Sequence, residues 1–215
     1  MTQYQVPLVS NSPDDPTRCM QACMAMVLGY FMPKRQFSMN ELDMHSGKKP
    51  GKATWPMAAL LWMRELGFEV VNIEACNYAR LITERDWYLV AMYGEEVATW
   101  AIRNSDMEQV YADASAFISG SIKSMVRLPT VGDIKEYLTQ GYLCICWVNS
   151  KALHKRPGLS GHFIVATGCT DEGLFYNDPG LPAAAHCFVA NGDMEYAWST
   201  PSEQTKTVMA FRLSA

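Results

Sequence analysis

Cys19-Met20-Gln21-Ala22-Cys23-Met24-Ala25-Met26-Val27-Leu28, with Ser160-Gly161-His162-Phe163-Ile164-Val165 far downstream, decides the fold. The first stretch is apolar around its whole circumference, so it reads as a buried helix, and a cysteine stands where that helix begins. The second is a β-branched, apolar strand with a histidine at its start, and the turn Asn177-Asp178-Pro179-Gly180 follows it. A thiol is a useful nucleophile only as the thiolate, and a helix N-terminus and a nearby imidazole both favour that form. The two segments therefore read as halves of one thiol site, with an acidic side chain available to hold the imidazole in its working tautomer.

Outward from these segments the chain reads as α+β. Thr17 is the expected N-cap of a helix over 19–31, which Pro33 stops. Ser38 with Glu41 opens a short helix ending near Gly47, and Thr54 with Pro56 opens one from Trp55 to Leu66 that Gly67 closes. Residues 78–119 carry two or three helices with a break at Gly94, and Thr130 with Asp133 caps another that Gly141 ends. Strands are expected at 142–148, 163–169, 174–177, 187–190 and 207–213. The expectation is one domain over 1–215, helical over about 1–141 and sheet-forming over about 142–215, with the helical part packed on an antiparallel sheet.

Composition bounds the function. The 215 residues are 49% hydrophobic and 19% charged with a formal net charge of −4, so no basic stripe exists to neutralise a phosphate backbone. No apolar run is long enough for a bilayer, and the first residues lack the basic and apolar regions of a secretory signal. These features predict a cytoplasmic protein with neither nucleic acid nor membrane as partner; delivery by a secretion system leaves no such mark. Seven cysteines at irregular spacing do not form a disulfide framework. Cys144, Cys146, His154, Cys169, His186 and Cys187 lack the close pairs of a zinc site, so neither metal nor cofactor is expected.

Val6-Pro7-Leu8-Val9-Ser10-Asn11, the Cys19 to Leu28 run, Gly161-His162-Phe163-Ile164-Val165 and Asn177-Asp178-Pro179-Gly180 together resemble the bacteriocin-processing peptidases that cut after double-glycine leaders, and their stand-alone relatives. The resemblance extends from Val6 to Tyr196-Ala197-Trp198 and implies a papain-like fold. It implies Cys19 as nucleophile, His162 as general base and Asp178 as the orienting residue, with Asn177 as the fallback. Asn11 stands where the family places a glutamine that donates to the oxyanion, a device that contributes roughly 2.7 to 4 kcal/mol. The family's small pair after the nucleophile is replaced by Met20-Gln21, which places Gln21 as a pocket-lining residue. The transporter-linked members' nucleotide-binding and membrane regions have no counterpart here.

Other readings of the same residues stand beside this one. Cys23, one helical turn past Cys19, reads as core packing. The Trp55, Met57, Trp62, Met63 face reads as core, with Trp55 the aromatic left at the cleft as a substrate-binding candidate. Gly161 is expected to admit the close approach of another backbone beside His162. The predicted reaction is cleavage of a peptide or isopeptide bond through a thioester, on a peptide or protein substrate. The alternatives are a cell-wall amidase effector, an acyltransferase, or a non-catalytic binding module on a peptidase fold.

Overall fold

The computed structural model describes residues 1–120 and 122–214. Among these residues the chain runs β1 (Thr2–Gln3), α1 (Cys19–Phe31), α2 (Met39–His45), α3 (Pro56–Glu65), β2 (Phe68–Glu74), α4 (Tyr78–Glu84), α5 (Asp86–Tyr93), α6 (Glu95–Asn104) and α7 (Met107–Ser119). It continues as β3 (Lys123–Val126), α8 (Val131–Thr139), β4 (Leu143–Asn149), α9 (Ser150–Leu153), β5 (Gly161–Cys169), β6 (Gly173–Asp178), β7 (Ala184–Ala190), α10 (Asn191–Ser199) and β8 (Thr207–Leu213). The strands form one mixed sheet in the order β3-β2-β8-β4-β5-β6-β7, with β1 on β5. The β2–β3 pair is parallel and the other pairs are antiparallel.

Alternation along the central strands explains why the sheet has two covered faces. Ile145, Val165, Met209 and Phe211 join the core beneath α1 to α7, whereas Cys144, Cys146, Ile164, Ala166, Val208 and Ala210 join a second core under α8 and α10. A sheet buried on both faces gives continuous apolar strands such as Leu143–Val148 in place of a polar and apolar alternation. Trp198 of α10 is fully buried in the second core.

The expected split at about residue 141 therefore needs correcting. β2 and β3 lie inside the part read as helical, and α9 and α10 lie inside the part read as sheet. Residues 78–119 hold four helices, α4 to α7. The break at Gly94 is present, at φ 81°, and a second falls at Arg85, whose φ of 55° is a conformation no sequence rule signals for arginine. Thr130 and Asp133 do form a reciprocal capping box on α8. Among the described residues no helix is long and apolar enough to cross a membrane.

The second strand carries a buried acid. Glu74 accepts hydrogen bonds from Asn72 Nδ2 at 2.6 Å and from the Tyr78 hydroxyl on the same oxygen. Burial raises its pKa, so the folded state holds the carboxyl proton more tightly than the unfolded chain, and the charged form weakens the fold as pH rises. Glu74→Gln keeps an acceptor for both partners and removes the charge. Its melting temperature should exceed that of the wild type, by more at mildly alkaline than at mildly acid pH; an equal melting temperature across that range would contradict this assignment.

Candidate active site

α1 presents Cys19 at its first turn, half-buried, while Met20 to Met24 and Met26 to Leu28 are buried. Thr17 does not cap it. The N-cap residue is Arg18, whose side chain makes no capping bond, so the first backbone N–H groups keep their positive end free beside the sulfur. Thr17 instead donates its hydroxyl and its backbone N–H to Asp15 Oδ1. Asp15 also takes the Nζ of Lys48, a buried side chain, at 3.0 Å. Burial works against the charge on Asp15, but the bonds from Thr17 and Lys48 outweigh it and hold the carboxyl down at about 2. Arg18 binds Asp43 of α2 through two nitrogens, at 2.5 and 2.9 Å. The loop before Cys19 is thus fixed by charge on both sides.

His162, at the start of β5, is 9% exposed, and Asp178, at the end of β6, is 5% exposed. His162 Nε2 donates to Asp178 Oδ1 at 2.7 Å, which leaves Nδ1 as the nitrogen for a thiol partner. The structure brings all three sequence-predicted residues together. Burial opposes a charge on the ring, yet hydrogen bonds to Asp178 and Cys19 outweigh it and raise the His162 pKa to about 9. Asp178 moves the opposite way: burial pushes its carboxyl up, but His162 and then the Gly180 N–H pull it below the usual range.

Two nearby glycines are there for close approach. A Cβ on Gly180 would stand 2.9 Å from Asp178 Oδ1 and 3.8 Å from His162 Nε2. Gly180→Ala should therefore push the carboxylate off the ring and slow turnover about tenfold or more, with the fold retained; an unchanged rate would show that the ring needs no such clearance. A Cβ on Gly161 would meet the Trp147 ring at 3.0 Å. The expectation of a backbone beside Gly161 is corrected: the neighbour is an indole.

The remaining candidates have other partners. Asn177 donates to the Val6 carbonyl at 3.1 Å and accepts from the His186 N–H at 3.0 Å, so it ties β6 to the N-terminal segment and to β7, away from the His162 ring. Asn11 lies beside the site, its backbone N–H bonded to the Pro179 carbonyl at 2.7 Å. Its side chain closes a local turn, with Nδ2 on the Pro16 carbonyl at 2.7 Å and Oδ1 taking the Ser12 N–H at 2.9 Å. Gln21 does not line a pocket. Two residues past Cys19 a helix has turned to nearly its opposite side, and Gln21 is fully buried there, donating to Ser46 Oγ at 2.7 Å and Thr54 Oγ1 at 3.1 Å. Trp55 donates its indole N–H to Ser105 at 2.9 Å and packs on the helical core.

Among the other thiols, burial pushes Cys23, Cys76 and Cys144 well above the ordinary range and raises Cys146 and Cys187 as well. One contact escaped the sequence reading. His154, at the end of α9, places Nε2 3.2 Å from Asp178 Oδ2. Nothing in its spacing from His162 signals this, because the connection between β4 and β5 alone brings it to the carboxylate.

No family model matches the sequence, and no curated protein matches it either. Solved structures do. The peptidase domain of Streptococcus ComA, a bi-functional ABC transporter involved in a quorum-sensing pathway, is 13% identical with a TM-score of 0.52, over 98% of this chain and 100% of that one. A C39-like peptidase from Bacillus anthracis is 10% identical with a TM-score of 0.58, over 100% of this chain and 98% of that one. The chain has the papain-like fold of the C39 peptidase domains.

Proposed function

We propose that the protein is a cysteine hydrolase that cleaves a peptide or isopeptide bond through Cys19, His162 and Asp178. The observation that carries this reading is the position of the His162 ring, bonded through Nε2 to Asp178 at 2.7 Å with Nδ1 left for the Cys19 sulfur. A proton moved from sulfur to the ring gives a thiolate beside an imidazolium, at the positive end of a helix of 13 residues. The thiolate attacks the carbonyl carbon, and the negative oxygen that develops is received by the uncapped N–H groups at the start of α1. Asn11, committed to Pro16 and Ser12, serves by holding the turn under the nucleophile. Nδ1 of His162 then gives its proton to the departing amine, leaving a thioester on Cys19. A water loses its proton to the same nitrogen and attacks the thioester, which releases the acid and restores the pair. Asp178 keeps Nε2 protonated throughout, so that Nδ1 does the exchange.

The peptidase domains of the same fold support peptide-like substrates. The direct test is intact-mass analysis after acid quench of the protein mixed with a diverse peptide pool. An acyl adduct mapping to Cys19, absent in Cys19→Ala, is the expected result. Peptide turnover undiminished in Cys19→Ala would overturn the assignment.

A further inference from the structure

Asp178 can orient His162 only if its carboxylate does not rotate. Both close donors to it, His162 Nε2 at 2.7 Å and the Gly180 N–H at 2.7 Å, bind the same oxygen, Oδ1. Two bonds on one oxygen leave the carboxyl free to swing about that oxygen unless something holds the other. Oδ2 is held by His154 Nε2 at 3.2 Å. A carboxylate oxygen can only accept, so His154 is bound as the Nε2–H form.

The segment carrying His154 is itself built to hold position. Asn149 Oδ1 accepts from the N–H groups of Lys151, at 3.1 Å, and Ser160, at 3.0 Å. Its Nδ2 donates to the Gly158 carbonyl at 3.0 Å, and the Ser150 N–H bonds the Ser160 carbonyl at 2.8 Å. The chain turns directly after His154, at Lys155 with φ 57°. Asn149 ends β4 and Ser160 precedes β5, so the segment that carries His154 is tied at both ends to the strand that carries His162.

We propose that His154 is a positioning residue that locks the Asp178 carboxylate against rotation and so keeps the His162 ring aligned with Cys19. This rests on the reading of Cys19, His162 and Asp178 as a hydrolytic site. It separates the work of the two carboxylate oxygens: Oδ1 bonds the base and Oδ2 bonds the lock. Because the His154 side chain is 44% exposed, it contributes little to core packing, and its replacement leaves the fold in place.

The test uses the full chain as wild type, His154→Ala, His154→Gln and His162→Ala, with two readouts: the rate of iodoacetamide labelling at Cys19 near neutral pH, and the downfield proton resonance of His162 Nε2–H. In His154→Ala the resonance should broaden or vanish and labelling should slow by roughly fivefold. Glutamine carries an amide N–H at nearly the reach of Nε2, so His154→Gln should recover both. A purely structural histidine would not be rescued in this way. Wild-type resonance and rate in His154→Ala would overturn the proposal. If Cys19 labels no faster in the wild type than in His162→Ala, the hydrolytic reading is what fails, and the resonance in His154→Ala still decides whether His154 holds Asp178.

Discussion

His162→Ala should slow turnover of any substrate by about 10² to 10⁴-fold and make Cys19 an ordinary thiol. The ring has two jobs in the proposed mechanism, taking the thiol proton and delivering it to the leaving amine. The variant also has a stability signature with a definite sign. His162 has its pKa raised to about 9 in the folded chain from an ordinary 6.5, so the stability it contributes is fully present below about 6.5 and is lost as pH rises through about 9. The wild type should therefore exceed the variant in melting temperature at mildly acid pH, with the difference shrinking in the alkaline range. Equal rates of Cys19 labelling in the two proteins would remove His162 from the mechanism.

Asp178→Asn should slow turnover by a comparable factor, on the order of 10² to 10⁴-fold, for a different reason. The carboxylate receives three donors, from His162, Gly180 and His154, and an amide can accept on one side only. Its NH₂ must then face another donor, and the imidazole is turned or held in the wrong tautomer. The charge matters as well. Burial alone would lower the His162 pKa, and Asp178 is among the groups that reverse this, so its neutralisation should bring the alkaline limb of the rate profile down from about 9. A limb that stays near 9 with a slower rate would assign Asp178 to geometry alone.

That Cys19, His162 and Asp178 gather was legible because each sits in a local context that chemistry constrains: a cysteine opening an apolar helix, a histidine opening an apolar strand, an aspartate in an Asp-Pro-Gly turn. α1 was legible to its ends for the same reason, since Pro33 and the apolar run bound it. What failed depended on partners far away in sequence. Phe68–Glu74 becomes a strand because it pairs with β3 and β8, and Lys123–Val126 because it pairs with β2; their own residues do not demand it. α10 hides behind the polar Asn191-Gly192-Asp193 opening until Trp198 is seen in the second core.

The expectation that Gln21 lines a pocket failed through orientation. The replacement of the family's small pair by Met20-Gln21 suggested a changed pocket, but helical geometry turns Gln21 inward to Ser46 and Thr54. Gly161 was read for its missing side chain, correctly in kind, while the neighbour it admits is Trp147 from the adjacent strand. His154 could not have been found from the sequence, since its link to Asp178 passes through a connection whose shape depends on the Asn149 side chain.

The pair formed by Cys19 and His162 is the centre of the account, and the pH dependence of iodoacetamide labelling, with the modified cysteine located by peptide mass mapping, tests it most directly. Six other cysteines serve as internal controls, several of them pushed upward by burial. Selective labelling of Cys19 that persists well below its ordinary thiol range, and that is lost in His162→Ala, is the predicted result. Labelling that rises only in the alkaline range, spreads over several cysteines and ignores His162 would contradict the thiolate and imidazolium pair and leave a peptidase fold without peptidase chemistry.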